Sequence, residues 1–230
     1  MKGGFLLSSV LGITQRSTMD LDFSVRGMDF IKDATGEMIL GIIRTEVNDD
    51  ISYRLLKITE TLQHRHVSGF KISMVGLLDN IKVPFSIDLA MGDPITPQEI
   101  RYDYQPLLLD KAFDLKSYNI ETVLAEKIQS IMDWKASNGR MKDFYDIYII
   151  SKCHHQLVSP AILKDAIKNT FEHRHTEYGH NILEALLNHL EADEEFIKRW
   201  MNFVEKNDFV DALTFGDIRK EIIELATKMN

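Results

Sequence analysis

Asp20 and Asp22 stand two residues apart in Arg16-Ser17-Thr18-Met19-Asp20-Leu21-Asp22-Phe23-Ser24-Val25. Leu21, Phe23 and Val25 alternate with Asp20, Asp22 and Ser24, so a strand here buries one face and presents both carboxylates on the other. Two like charges side by side on a strand face repel unless a cation lies between them. A divalent ion such as Mg²⁺, which prefers hard oxygen ligands, is the natural occupant. Just upstream, Lys2-Gly3-Gly4 opens into the apolar, helix-like run Phe5-Leu6-Leu7-Ser8-Ser9-Val10-Leu11. Glycines at a helix start let backbone N–H groups approach phosphate closely. A phosphate cradle followed by a metal-binding Asp pair describes a site for nucleoside triphosphates.

A third carboxylate repeats the arrangement. In Lys82-Val83-Pro84-Phe85-Ser86-Ile87-Asp88-Leu89-Ala90, the residues Val83, Phe85, Ile87 and Leu89 share one face, and Asp88 points away with Ser86 and Ala90. If this strand neighbours the first, three carboxylates converge, enough to hold two metal ions. The bland alternative is an exposed strand face with scattered Asp residues.

Lys127 breaks a helical pattern. Ile120, Val123, Leu124, Ile131 and Trp134 form one stripe at 3.6-residue spacing, and Lys127 sits in its middle. A lysine inside a packing face must reach water or meet an anion, because burying it unpaired is costly. Triphosphate or a buried carboxylate would satisfy it. Candidate partners follow in Arg140-Met141-Lys142-Asp143-Phe144-Tyr145-Asp146-Ile147-Tyr148-Ile149-Ile150, which is apolar nearly all round. Asp143 and Asp146 are helical neighbours of like charge and call for cations, which Lys127 and Arg140 could supply. Asp143, flanked by Ile147 and Ile150, reads as the more buried of the two.

The elements that must position these residues change in kind along the chain. Strand-like runs lie at Tyr53 to Ile58, Gly69 to Leu78 and Lys82 to Leu89, with Asp79-Asn80 as a hairpin turn between the last two. The stretch from about 29 to 47 is ambiguous, and Ile100 to Leu109 reads as a further strand. From Asn119 the pattern is helical, over about 119–135, 140–152, 159–174, 181–190, 191–206 and 214–229, with Ser159-Pro160 as a hydroxyl-capped start. Strands first and helices later predict an α+β fold, with a small mixed or antiparallel sheet domain over residues 1–115 and a helical domain over 116–230 completing the active-site cleft.

Composition narrows the classes. At 230 residues, 44% apolar and 27% charged, the chain is an ordinary globular protein. Cys153 stands alone, so no internal disulfide can form and a reducing, cytoplasmic setting fits. No apolar run is long enough to cross a bilayer, and the apolar start lacks the small-x-small cleavage site of a signal peptide. A net charge of −8 argues against charge-driven coating of nucleic acid, though a local basic patch could still receive an RNA. His64-Arg65-His66 and His173-Arg174-His175 read as solvated, since residues two apart on a helix diverge and no Cys or carboxylate completes a zinc site. Cys153 has no charge pattern that would activate it as a nucleophile. The acidic stretch from Leu187 to Trp200 reads as a solvated helix face.

Together, Lys2-Gly3-Gly4, Arg16-Ser17-Thr18-x-Asp20-x-Asp22-Phe23, Phe85-x-Ile87-Asp88, Glu121-Thr122-x-Leu124-Ala125-Glu126-Lys127 and Arg140-Met141-Lys142-Asp143-Phe144-Tyr145-Asp146 resemble the AbiEii/AbiGii family of nucleotidyltransferase-like toxins, within the DNA polymerase β-like superfamily. The resemblance covers residues 2 to about 150 and weakens through the C-terminal helices. It implies a toxin of a toxin–antitoxin or abortive-infection system that transfers a nucleotide from an NTP to an acceptor, with tRNA as the expected acceptor and a cognate antitoxin as partner. It makes Gly3, Gly4, Ser17, Thr18 and Lys127 nucleotide-binding, Asp20, Asp22 and Asp88 ligands of Mg²⁺ or Mn²⁺, Asp88 also base-like, and Asp143 the essential acid of the last motif, with Asp146 the competing assignment. Family members usually carry a helical segment ahead of the glycine motif, which here begins at residue 2. A catalytically silent nucleotide- or antitoxin-binding module, or transfer to a protein or small molecule, are the competing readings.

Overall fold

A computed structural model describes the chain except residues 19, 28–29, 46, 48–49, 65–66, 108, 211 and 230, and describes residues 62–64 and 67–68 by backbone alone. The chain divides into two compact units, Met1–Asp93 with Asp103–Leu115, and Pro94–Tyr102 with Lys116–Asn230.

The first unit is built on a four-stranded mixed sheet. Its elements are α1 (Gly3–Leu11), β1 (Asp20–Val25), α2 (Lys32–Ile43), β2 (Ser52–His64), β3 (Val67–Leu78) and β4 (Ile81–Met91). The strand order is β1-β4-β3-β2, with β1 parallel to β4 and the other pairs antiparallel. The ambiguous stretch resolves into α2, because Met38, Ile39 and Ile43 recur at helical spacing and close over one sheet face. Ile39, Phe70, Ile72, Met74 and Leu89 form the buried cluster there, with Phe23, Val25, Tyr53, Leu55, Phe85 and Ile87 packed around it. The polar residues of β1 and β4 therefore occupy the opposite face.

Val83 departs from the sequence reading: it is 56% exposed, because it pairs with Gly76 in the outer part of the β3–β4 hairpin, beyond the apolar cluster. The hairpin turns at Asp79-Asn80 as expected, with Asp79 in the left-handed region at φ 49°. The run expected as a strand from Ile100 to Leu109 is one only over β5 (Ile100–Tyr104), which pairs in a separate two-stranded sheet with β6 (Phe113–Ser117), an element the sequence reading did not contain.

The second unit holds the six helices α3 (Ile120–Trp134), α4 (Met141–Cys153), α5 (Pro160–His173), α6 (His180–Ala192), α7 (Glu194–Glu205) and α8 (Phe215–Thr227). Asn119 caps α3 by accepting from the Thr122 N–H at 2.9 Å, and Thr214 with Asp217 forms a capping box on α8. Phe144, Phe196, Phe215 and Trp200 interlock as an aromatic core, with ring centroids 4.8 to 5.9 Å apart. Two details differ from expectation. Trp134, the last residue of α3, is 45% exposed rather than part of the packed stripe. Ser159 starts α5 without a side-chain cap; its backbone N–H donates instead to the buried Glu121 carboxylate at 2.8 Å. No helix among the described residues is long and apolar enough to cross a membrane.

Candidate active site

The start of α1 is built against Asp22. Lys2 N–H donates to the Asp22 carbonyl at 3.0 Å, and Gly4 N–H donates to Asp22 Oδ2 at 3.0 Å. The first helical amides carry partial positive charge, so a carboxylate at this end is favoured. Gly3 has φ 58°, and a Cβ there would stand 2.6 Å from Asp22 Oδ2. A Cβ on Gly4 would stand 2.9 Å from Arg16 Nη2 and 3.3 Å from Thr18 Oγ1. Gly3 is thus required by its left-handed backbone and the close approach of Asp22, whereas at Gly4 the nearest atom is the far end of the Arg16 side chain. The Thr18 hydroxyl accepts from Asp20 N–H at 3.3 Å, and the exposed Ser17 offers its carbonyl to the buried Arg16 guanidinium. Lys2 anchors this turn from behind: its ammonium meets Asp93 Oδ2 at 3.2 Å, both side chains buried, just past the end of β4. Arg26 donates to the Asp93 carbonyl at 3.2 Å.

Asp22 is the direct parallel partner of Asp88, and Asp20 pairs with Ser86. Because register partners point the same way, the three carboxylates share one sheet face. On the other side of Asp88, its antiparallel partner is Lys71 of β3. The Lys71 ammonium lies 3.7 Å from Asp88 Oδ2 and 4.0 Å from Asp20 Oδ1. Burial pushes the Asp88 carboxyl above its ordinary range; Lys71 pulls it back and the Asp20 charge adds to the rise. These hard oxygen donors suit Mg²⁺ or Mn²⁺. With Asp22 turned to the Gly4 amide and Asp20 and Asp88 toward Lys71, no group of three His, Cys, Asp or Glu side chains among the described residues is gathered as a metal-binding cluster.

Lys127, Asp143 and Asp146 come together within the helical unit. The Lys127 ammonium lies 2.7 Å from Asp143 Oδ1 and 2.7 Å from Asp146 Oδ2, and all three residues are buried. Arg140 Nε reaches Asp143 Oδ2 at 2.7 Å. Burial alone would pull the Lys127 ammonium down, but Asp143 and Asp146 outweigh it and hold it above its usual range. Burial likewise opposes the Asp143 carboxylate, and Lys127 with Arg140 keeps it below its usual range. Asp146, at 0% exposure, is no less buried than Asp143, against the sequence reading; Lys127 draws both carboxylates inward. The rest of α3 is also buried nearly all round, with Arg174 bonded to Gln129 at 2.8 Å and to Glu126 at 3.4 Å.

The predicted residues are therefore assembled as two sets, each within its own unit: Gly3, Gly4, Thr18, Asp20, Asp22 and Asp88 in one, Lys127, Asp143 and Asp146 in the other. Sequence reading missed Lys71 and the Lys2–Asp93 pair. His173 and His175 are exposed, His64-Arg65-His66 lies outside the described residues and side chains, and Cys153 is a free, exposed thiol.

A family model described as nucleotidyl transferase AbiEii toxin of a type IV toxin–antitoxin system matches residues 1–220. The chain belongs to the AbiEii family. AbiEii membership makes it a nucleotidyltransferase toxin, with a nucleotide substrate and a cognate antitoxin. Two crystal structures are similar in fold. A candidate nucleotidyltransferase from H. pylori is 12% identical at a TM-score of 0.54, over 99% of this chain and 84% of its own. JHP933 from Helicobacter pylori is 11% identical at 0.52, over 97% and 80%. No curated protein matches. The α+β architecture with its small mixed sheet is that of these neighbours.

Proposed function

We propose that this AbiEii chain transfers a nucleoside monophosphate from an NTP to the terminal hydroxyl of a tRNA, with pyrophosphate as the second product. Residues 1–115 are read as the nucleotidyltransferase-like domain and 116–230 as the helical domain that contributes Lys127 and Asp143. The observation that carries the reading is the register of β1 and β4, which puts Asp20, Asp22 and Asp88 on one sheet face beside a glycine helix start.

Asp20, Asp22 and Asp88 would hold the divalent cation, Mg²⁺ or Mn²⁺, whose chemistry is to neutralise phosphate charge and ease deprotonation of a hydroxyl. Gly3 and Gly4 open α1 with Asp22 held on the Gly4 amide, and this helix start, flanked by Ser17 and Thr18, would receive phosphate oxygens beside the ion. Asp88 takes the proton of the acceptor hydroxyl; burial raises its proton affinity, the direction a base requires. The acceptor oxygen forms its bond to the α-phosphorus as the bridging α–β oxygen leaves on pyrophosphate. Lys127, paired with Asp143 and Asp146, would answer the charge of the departing phosphates, the role that the family resemblance gives it. Asp143 and Asp146 hold that ammonium charged and in place.

Incubation with α-labelled NTPs, Mg²⁺ and total tRNA tests this, with a parallel incubation in lysate separated by size and nuclease sensitivity. Label in the tRNA band, lost in Asp22→Ala, is expected. Nuclease-resistant label would assign the acceptor to protein or a small molecule. NTP binding without label on any acceptor would mark a silent binding module.

A further inference from the structure

We propose that Lys71 serves as a resident cation of the carboxylate face, so that the face takes one divalent ion where its three carboxylates alone would take two. The inference rests on the reading of Asp20, Asp22 and Asp88 as metal ligands and deepens it. Lys71, Asp88 and Asp22 form one row across three adjacent strands, as successive register partners on the same face. Lys71 issues from β3, which is paired on both sides, so its backbone origin is fixed by two ladders of hydrogen bonds. Its ammonium stands 3.7 Å from Asp88 and 4.0 Å from Asp20, between two of the three acids.

Charge and space both follow from that placement. Three carboxylates and one ammonium leave at most two negative charges, the complement of a single divalent ion. A second divalent ion bridging Asp20 and Asp88 would have to occupy the place of the ammonium, where the two cations repel at contact distance. Asp22, held from the other side by the Gly4 amide, is the acid around which the single ion would be organised. An ammonium standing at that position also relieves the repulsion between Asp20 and Asp88 before any ion arrives.

Counting Mn²⁺ bound per chain, from the loss of the free-ion paramagnetic resonance signal with Mn²⁺ alone as probe, tests the proposal. One ion is expected on the wild type and on Lys71→Arg, which keeps the charge. Two are expected on Lys71→Met, with Lys71→Gln as the substitute if the first variant loses the wild-type circular dichroism spectrum. Two ions on the wild type, or one on the folded charge-removing variant, would overturn the role of Lys71 and leave the ligand reading standing. No Mn²⁺ on the wild type would overturn the ligand reading itself.

Discussion

Gly4 donates its backbone N–H to the Asp22 carboxylate at 3.0 Å, which makes the first turn of α1 and the central acid of β1 a single structural piece. Gly3 completes it, at φ 58° and with Asp22 Oδ2 only 2.6 Å from where a Cβ would stand. Gly3→Ala is therefore expected to cost about 1–2 kcal/mol for the left-handed backbone alone and to push the Asp22 carboxylate aside. Urea denaturation should show that modest loss, while NTP-dependent labelling falls far more than stability does. Full labelling activity in Gly3→Ala would break the link between the helix start and the acid.

Lys127 answers two buried carboxylates at once. Its removal leaves Asp146 without this partner at a site of 0% exposure, so Lys127→Met is expected to destabilise the fold by about 3–5 kcal/mol, the range for breaking a buried ion pair. The combined variant Lys127→Met with Asp146→Asn should recover part of that loss, because the uncompensated charge is gone. Chemical denaturation of both variants checks the pair.

The same cluster sets a pH dependence. Asp143 lies below its ordinary range when folded, so its contribution is full above about pH 4, near the value of an unfolded Asp, and fades as pH falls through the folded value. Lys127 lies above its ordinary range, so its contribution is full below about pH 10 and fades as pH rises through the folded value. Between these limits the cluster contributes constantly. In Lys127→Met the Asp143 carboxylate loses the larger of its two cation partners while its burial, which favours the protonated form, remains, so the stability deficit should be larger at pH 7 than at pH 4. Urea midpoints of wild type and variant across that interval give the comparison.

Lys2 and Asp93 are buried against each other at 3.2 Å, and the pair ties the glycine turn to the end of the strand that carries Asp88. Asp93→Asn is expected to loosen that turn without touching any proposed metal ligand. A rise in KM for NTP that exceeds the fall in kcat is the predicted result; an unchanged KM would remove Lys2 and Asp93 from any positioning role.

The carboxylate face was legible in the sequence because strand alternation has a period of two and leaves each Asp no choice of side. The helices from Asn119 onward were legible for the matching reason, with boundaries within a few residues of those observed. Lys71 was missed although the information was present. A two-residue turn at Asp79-Asn80 pairs Leu78 with Ile81, and counting back along the hairpin puts Lys71 opposite Asp88. The Lys2–Asp93 pair had no such signal, since the partners are 91 residues apart and only the tertiary fold joins them. Val83 misled because alternation gives the side of a strand but not how far the covering helix extends. β6 was hidden by its composition, Phe113-Asp114-Leu115-Lys116-Ser117, too short to declare a period.

In the proposed function, Asp20, Asp22 and Asp88 act together on the α-phosphate of an NTP. Transfer of α-label to tRNA by the wild type and by Asp20→Asn, Asp22→Asn and Asp88→Asn, each first shown to keep the wild-type fold, tests it most directly. All three substitutions are predicted to abolish labelling, and γ-labelled NTP is predicted to give none with the wild type. Wild-type transfer by Asp88→Asn, or label arriving from the γ-position, would contradict it.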